Sequence, residues 1–379
     1  MKTKGAILHG LNQPWSVEEI EVGEPRRGEV MVQLEAAGMC HSDHHLVTGD
    51  TPLPSYPAMG GHEGAGKVIQ VGEGVEDVEV GDHVVLSFIP SCGKCEPCVT
   101  GQSNLCDLGM YLMTGESISD GSFRIQTADG ENVIPMCLLG TFSPYVTVHQ
   151  SSVVKIDKEI PFEVACLVGC GVTTGWGSAT NVAEVKAGDT VVVGGAGGVG
   201  MNSVQGAAVS GAERVIVIDP SEFHREQAKK FGATHTFPSM AEAIAPVMEM
   251  TWGKMADKTI IAVGRIKGED IDPAMTLTKK GGRVVVVGMG GMADMDVTLN
   301  LFLFTMLQKE MRGAIFGGAN PKAEIPNILS MYKAGKINLD DLVTKHYKLE
   351  QINEAYQDMF DGKILRGVII YDESDRTTV

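Results

Sequence analysis

Thr190-Val191-Val192-Val193-Gly194 runs directly into Gly195-Ala196-Gly197-Gly198-Val199-Gly200, and the reading of this stretch decides the fold. A short, unbroken β-branched run marks a strand buried on both faces of a parallel sheet. The glycines follow G-x-G-x-x-G spacing, residues 201–210 have helical character, and Val215-Ile216-Val217-Ile218 is a second apolar run ending at Asp219. A Gly-rich turn alone needs no ligand. Set between strand and helix, with an acidic residue closing the next strand, it meets the full context of a dinucleotide-binding βαβ unit. Gly195, Gly197, Gly198, Val199 and Gly200 are therefore expected to bring helix N-terminal N–H groups against a pyrophosphate. Asp219 is expected to accept hydrogen bonds from the adenosine ribose. A carboxylate there repels a 2′-phosphate and favours NAD over NADP, although His224 and Arg225 lie close enough in sequence to soften the preference.

The rhythm continues downstream. Helix-like residues 223–231 precede a strand-like run at 256–264, and Gly281-Gly282-Arg283 leads into Val284-Val285-Val286-Val287-Gly288. Repeated βα units predict an α/β domain with a doubly wound parallel sheet. Upstream, the runs at 28–34, 67–71, 83–87 and 140–148 are short, broken by Gly and Pro, and partly alternating, as in antiparallel strands. From about residue 320 the βα rhythm is lost, with helix-like stretches at 325–334 and 349–361 and a last strand at 367–371. The nucleotide domain, 172–315, is thus expected to be inserted between 1–171 and 316–379 of a second domain.

A chain of 379 residues is long enough for two ordinary domains. With 43% apolar and 21% charged residues it has the balance of a globular protein. The 48 acidic against 31 basic residues give a net charge of −17, a field that repels phosphate backbones and argues against nucleic-acid or anionic-membrane partners. Residues 1–10 lack a sustained apolar run, and the most apolar stretch, 301–307, is too short to span a bilayer. A cytoplasmic location is expected, where disulfides are disfavoured, so the eight cysteines need another explanation.

Half of them supply it. Cys92, Cys95, Cys98 and Cys106 fall within one short segment, at spacings that let thiolates converge on a single tetrahedral ion. Four ligands close such a site, so the lobe 92–106 reads as a structural zinc site. An iron–sulfur cluster also takes four thiolates, but the spacing after the third Cys and the placement of Pro97 fit ferredoxins poorly. Cys137 and Cys166 have no spacing partner and read as buried free thiols.

Cys40-His41-Ser42-Asp43-His44-His45 concentrates a thiol, a hydroxyl, a carboxylate and three imidazoles. Such groups are costly to bury unless used. The hexapeptide alone fits a metal ligand with its supporting groups, a nucleophilic Cys beside a base, or a polar loop.

Taken with Gly38-Met39-Cys40-His41-Ser42-Asp43, Gly61-His62-Glu63, the four-Cys lobe, Gly169-Cys170-Gly171 and the nucleotide fingerprint, in that order, the chain resembles the zinc-dependent medium-chain dehydrogenase/reductases end to end. The likeness is to long-chain alcohol dehydrogenases of the liver and class III type. Leu86-Ser87-Phe88-Ile89-Pro90-Ser91-Cys92, Cys106-Asp107-Leu108-Gly109 and Gly313-Ala314-Ile315-Phe316-Gly317 are similar to the nicotinoprotein (N,N-dimethyl-4-nitrosoaniline-dependent) alcohol dehydrogenases. The resemblance implies a GroES-like β-barrel catalytic domain, a Rossmann domain and a cleft between them, with two zinc ions per chain and NAD.

It further implies that Cys40, His62 and Cys170 hold a catalytic zinc, a Cys₂His set that leaves one position open for water or an alcohol oxygen. Glu63 is a possible alternative ligand, and Asp43 would orient His62. Ser42 would accept the alcohol proton and pass it through the nicotinamide ribose to His45 and solvent, while His44 is expected to be a solvated loop residue. His41 stands where many relatives carry an Arg that contacts the pyrophosphate, and imidazole is a weaker phosphate partner. Thr174 and Val287 would contact the nicotinamide, Arg366 the pyrophosphate, and Val263 the cofactor.

Small alcohols or aldehydes are the implied substrates. A homo-oligomer, most often a dimer, would join through the Rossmann sheet edges. In the nicotinoprotein case NAD stays bound and an external acceptor reoxidises it. A thiol-adduct formaldehyde dehydrogenase would need a basic residue near the pocket mouth, and segment 107–120 has none. A non-catalytic zinc and NAD sensor would be expected to have lost a ligand or Ser42. Met289, Met292 and Met295 are expected to pack or to line the pocket.

Overall fold

The computed structural model describes residues 1–376, so the last three residues of the expected segment 316–379 lie outside the described residues. The chain divides into two compact units, Met1–Cys170 with Asn320–Lys333 and Leu339–Val379, and Gly171–Ala319 with Ala334–Asn338. The short return 334–338 goes with the second unit because the Gln205 amide group grips Asn338. Its Nε2 donates to the Asn338 carbonyl at 2.9 Å and its Oε1 accepts from Asn338 N at 2.7 Å. No helix among the described residues is long and apolar enough to cross a membrane.

In the second unit six parallel strands lie in the order His235–Phe237, Arg214–Ile218, Thr190–Gly194, Ala256–Ile261, Thr278–Val286, Glu310–Gly313. Numbered along the chain this is 3-2-1-4-5-6, the Rossmann order, with the direction of winding reversing beside Thr190–Gly194. Val191, Val192 and Val193 are all fully buried, as expected of a central strand covered on both faces. The strand His235–Phe237 and the helix Met240–Met250 were not anticipated. The helix carried a local signal: Ser239 caps it by accepting from Glu242 N at 3.2 Å, the S-x-x-E pattern of a capping box.

In the first unit the organising element is the long strand Glu29–Gly38. It pairs antiparallel with Glu63–Val71 along its length, with Tyr145–His149 over its first half and with Arg366–Ile370 over its second. His83–Leu86 extends the sheet beyond Glu63–Val71, and a five-stranded sheet contains Lys2–Leu8 and Ser16–Val22. Val30, Val32 and Leu34 point into a core closed by Trp15, Phe142 and Tyr356, with Trp15 and Phe142 edge to face at 5.8 Å between ring centres. Burying each such aliphatic side chain contributes about 1.5–3 kcal/mol, which makes the strand a stable base for what its end presents.

Candidate functional site

Strand register assembles the first site. Gly38 pairs with Glu63, so Cys40, two residues past the end of one strand, meets His62, one residue before the start of its neighbour. Gly64 pairs in turn with Leu86. The helix Phe162–Val168 ends at Gly169, where a Cβ would come within 2.2 Å of the Leu86 carbonyl. Only a glycine lets the backbone pass that close, and the next residue is Cys170. Cys40, His62, Glu63 and Cys170 each offer a ligand atom within 4.8 Å of the others, in a nearly fully buried cluster.

The hexapeptide is not a loop. Cys40 is the N-cap of the helix His41–Thr48, where the unpaired N–H groups of the first turn favour a thiolate. Hydrogen bonding with the Cys170 thiol draws the Cys40 pKa well below its ordinary value and pushes that of Cys170 well above. Burial acts to lower the His62 pKa, but Asp43 and the Cys40 thiolate beside it raise it well above the ordinary imidazole value. Two thiols driven in opposite directions beside an imidazole favoured in its charged form show donors competing for protons where a cation would balance them. The donor set fits zinc.

Asp43, fully buried, sits behind this set. Its Oδ1 accepts from His62 Nδ1 at 3.0 Å and from Gly61 N at 2.8 Å, and its Oδ2 accepts from Cys40 N at 3.2 Å. Glu63 is turned onto the Arg366 guanidinium, which also donates to the Met39 carbonyl at 2.9 Å. Arg366, expected beside a pyrophosphate, is buried and pairs with Glu63 from the strand Arg366–Ile370. The Tyr356 hydroxyl points at the Cys40 carbonyl, 3.4 Å away.

The histidines differ from expectation. His44 is half-buried on the helix with its ring 4.4 Å from that of Phe360, because the helical turn aims it at the apolar face of Ile352–Phe360 and away from solvent. His45, the expected solvent end of a proton path, is 3% exposed, with Nδ1 3.2 Å from Asp50 Oδ2. His41 and Ser42 are half-buried, and Ser42 Oγ lies 3.6 Å from Cys40 Sγ. Asp50 escaped the sequence reading. Its only signal was its place directly after Gly49, the left-handed residue that ends the helix.

Cys92, Cys95, Cys98 and Cys106 form the second cluster. The Cys92–Cys98 and Cys95–Cys106 sulfur pairs stand 4.0 and 3.8 Å apart. A tetrahedron with zinc–sulfur bonds of about 2.3 Å has edges of roughly 3.8 Å. Cys106 accepts from Cys92 N at 3.4 Å, and Cys92 accepts from Cys95 N at 3.3 Å. Burial pushes the Cys106 thiol up to about 12, while at Cys98 the Gly93 amide and neighbouring thiols overcome burial and pull it down to about 6. Crowded thiols cannot all ionise unless a cation joins them. Cys137 and Cys166 are buried and free.

In the second unit, the three fingerprint glycines do three different things. Gly195 has φ +89° and a Cβ there would meet the Ala262 carbonyl at 2.7 Å. At Gly200 a Cβ would fall 1.8 Å from the Gly195 carbonyl, so that glycine sets how closely the helix Gly198–Val209 approaches its strand. Around Gly197 there is nothing within 4 Å of a Cβ, an open approach to the helix N-terminus. Asp219 locks the loop, its Oδ2 accepting from Ala196 N at 2.7 Å and its Oδ1 from Ser221 N at 2.9 Å, and His224 Nδ1 lies 3.2 Å from Oδ1. Burial raises the Asp219 pKa, but His224 and the Ala196 amide prevail and hold it low.

Arg225 donates to the carbonyls of Asp219 and Pro220 at 2.7 and 2.9 Å. Thr174 Oγ1 is buried without a hydrogen-bond partner, a group suited to a ligand. Val263 and Val287, both half-buried, follow the strands Ala256–Ile261 and Thr278–Val286 at their carboxyl ends. Met289, Met292 and Met295 are 42%, 71% and 90% exposed, on the irregular segment that follows the strand Thr278–Val286.

Residues 26–158 match the family described as Alcohol dehydrogenase GroES-like domain, and residues 198–334 that described as Zinc-binding dehydrogenase. Alcohol dehydrogenase B of Mycobacterium tuberculosis is 61% identical over 376 residues, spanning 99% of this chain and all of its own. The NDMA-dependent alcohol dehydrogenase of Amycolatopsis methanolica is 50% identical over 371 residues, 98% of this chain and 99% of its own. Among solved structures, benzyl alcohol dehydrogenase of Acinetobacter calcoaceticus superposes with a TM-score of 0.90 at 28% identity, over 98% of this chain and all of that one. Both family matches, and relatives this similar over their whole length, place the chain in the zinc-dependent medium-chain alcohol dehydrogenase family.

Proposed function

We propose that this alcohol dehydrogenase interconverts small alcohols and aldehydes at Cys40, His62 and Cys170, using NAD held by the Gly195–Gly200 loop and Asp219, with a second, structural zinc in the lobe 92–106. The observation that carries the reading is the convergence of Cys40, His62 and Cys170 in one buried cluster: three such ligands would leave a fourth position to substrate oxygen, with Glu63, which also accepts from Arg366, beside them as the alternative ligand. Zinc there supplies Lewis-acid activation of the hydroxyl, and NAD supplies the hydride acceptor.

The chain's own groups do the rest. Asp43 holds His62 in the tautomer that offers Nε2 to the metal. Ser42 Oγ, beside Cys40, takes the hydroxyl proton, and His45 receives it. Helix N-terminal amides at Gly198 and Val199 hold the pyrophosphate, and Thr174, Val263 and Val287 border the nicotinamide. A carboxylate at Asp219, and an Arg225 already tied to backbone carbonyls, favour NAD over NADP.

The 50% identity to an NDMA-dependent enzyme supports a bound NAD reoxidised in place by an external acceptor. Exposed Leu301, Phe302 and Met306, with Met311 on the strand Glu310–Gly313 that ends the sheet among the described residues, support a homodimer through that edge. Eight free cysteines suit a reducing cytoplasm. The test is to denature freshly purified protein and assay the supernatant for zinc and NAD(H). Two zinc ions and one dialysis-resistant NAD(H) per chain are expected. A single zinc refutes the two-site reading, and absence of NAD(H) refutes the bound cofactor.

A further inference from the structure

The helix His41–Thr48 ends at Gly49, whose φ of 78° turns the chain back on the last helical turn. Thr51 N then donates to the His45 carbonyl at 3.1 Å, and Asp50 is brought alongside. Its Oδ2 accepts from Thr48 Oγ1 at 2.8 Å and lies 3.2 Å from His45 Nδ1. The imidazole is 3% exposed, whereas the Asp50 side chain is 17% exposed and stands nearer solvent.

We propose that Asp50 is a positioning residue for the alcohol–aldehyde reaction: held by Thr48, its carboxylate takes the Nδ1–H of His45 and so fixes Nε2 as the nitrogen that receives the proton released through Ser42. The proposal rests on the Ser42–His45 proton path set out above.

Chemistry leaves little choice of tautomer. An ionised carboxylate only accepts, so the ring nitrogen facing it must carry the hydrogen, and in the neutral ring the lone pair is then on Nε2. When Nε2 takes a proton the ring becomes a cation in a buried setting, which is costly unless a negative group is in contact. Asp50 is that group, and the last-turn carbonyls of the helix add a favourable partial charge. The count closes simply. One proton arrives on Nε2, the Nδ1–H stays in place, Asp50 remains ionised throughout, and loss of the Nε2 proton to water restores the ring. A buried histidine without such a partner could turn over or settle in the opposite tautomer, and proton transfer would then begin from the wrong nitrogen.

The test compares Asp50→Asn, Asp50→Glu, His45→Gln and the double variant Asp50→Asn/His45→Gln as full-length, zinc-loaded protein. Benzyl alcohol is the substrate, with NAD and an artificial electron acceptor both present. Asp50→Asn is expected to lower kcat about 10-fold with KM within about twofold, and Asp50→Glu to recover part of the loss. Ring-nitrogen NMR of ¹⁵N-histidine-labelled protein, with His45 assigned by its absence in His45→Gln, is expected to change from Nδ1-protonated to Nε2-protonated in Asp50→Asn. The double variant should be no slower than His45→Gln, since Asp50 acts only through that ring. Wild-type kcat and tautomer in Asp50→Asn, or a loss in the double variant that adds fully to that of His45→Gln, overturns the proposal. An unimpaired His45→Gln overturns the proton path itself, and this proposal with it.

Discussion

Replacing Asp43 with Asn removes no atom from the catalytic cluster but changes what one side chain can accept. The carboxylate takes three hydrogen bonds, two on Oδ1 from Gly61 N and His62 Nδ1 and one on Oδ2 from Cys40 N. An asparagine has one accepting oxygen. In its better orientation that oxygen keeps Gly61 and His62, and the NH₂ group then confronts the Cys40 N–H, donor against donor. A buried N–H left without a partner costs about 1–3 kcal/mol. The negative charge behind His62 is also lost, and contacts of that kind change metal affinity by about 10–100-fold, roughly 1.4–2.7 kcal/mol.

These two contributions converge on Cys40 and His62 together, so the expected effect is about 100-fold faster loss of one zinc. The assay is release of zinc from the full-length protein into excess chromophoric chelator. The four-thiol cluster provides an internal control, because none of its ligands touches Asp43. Two phases are expected, one strongly accelerated in Asp43→Asn and one unchanged. Equal acceleration of both phases would mean general loosening, and no acceleration would mean that Asp43 does not support the site. Either result refutes the reasoning.

Two fingerprint glycines should separate folding from cofactor binding. Gly200→Ala drives a Cβ into the Gly195 carbonyl and is expected to cost about 3 kcal/mol in urea unfolding. Gly197→Ala meets nothing and should leave stability within about 0.5 kcal/mol while lowering the NAD released on denaturation, so full retention of NAD in that variant would refute the cradle. Glu29 is nearly fully buried and accepts from Arg124 Nε at 2.7 Å. Burial raises its pKa, but Arg124, Ser117 and Ser119 prevail and hold it below the ordinary 4.5. Glu29→Gln should cost about 1.5–3 kcal/mol at pH 7, because Arg124 loses its most buried charged partner while keeping Asp120 at 3.0 Å. A depressed carboxylate stabilises fully above its unfolded value, and the benefit fades as pH falls through the folded one. The gap between wild type and variant should therefore shrink below pH 4.5, whereas a gap independent of pH contradicts the assignment.

Much of the molecule was readable from residues alone where local pattern and global fold agree. Val191 to Val193 announce a central parallel strand, the four cysteines announce their own cluster, and Gly195, Gly197 and Gly200 are spaced by the needs of a tight turn, a ligand and a helix contact. Cys40, His62 and Cys170 are harder, because nothing in their spacing brings them together. The pairing of Gly38 with Glu63 and the close pass of Gly169 over Leu86 do that, and both belong to tertiary structure. The side chains whose surroundings the sequence left open share one cause. His44, His45 and Arg366 were read by sequence position, whereas their partners Phe360, Asp50 and Glu63 are fixed by a helix packing, a helix ending and a strand pairing. His235–Phe237 was too short to stand out, and Met292 and Met295 show that apolar residues need not be packed.

The strand Arg366–Ile370 lies against Glu29–Gly38 although more than three hundred residues separate them. During synthesis, Cys40, His62 and Cys170 all leave the ribosome in the first half of the chain, long before Arg366. Until that residue arrives, Glu63 has no guanidinium to turn to, and the sheet that carries Cys40 and His62 lacks its last strand. Long-range pairings form late, so the segment that closes this sheet is among the last to dock. A chain that stops short of Arg366 is therefore expected to bury the Glu63 carboxylate without that guanidinium, a costly arrangement for a site otherwise complete in sequence by Cys170.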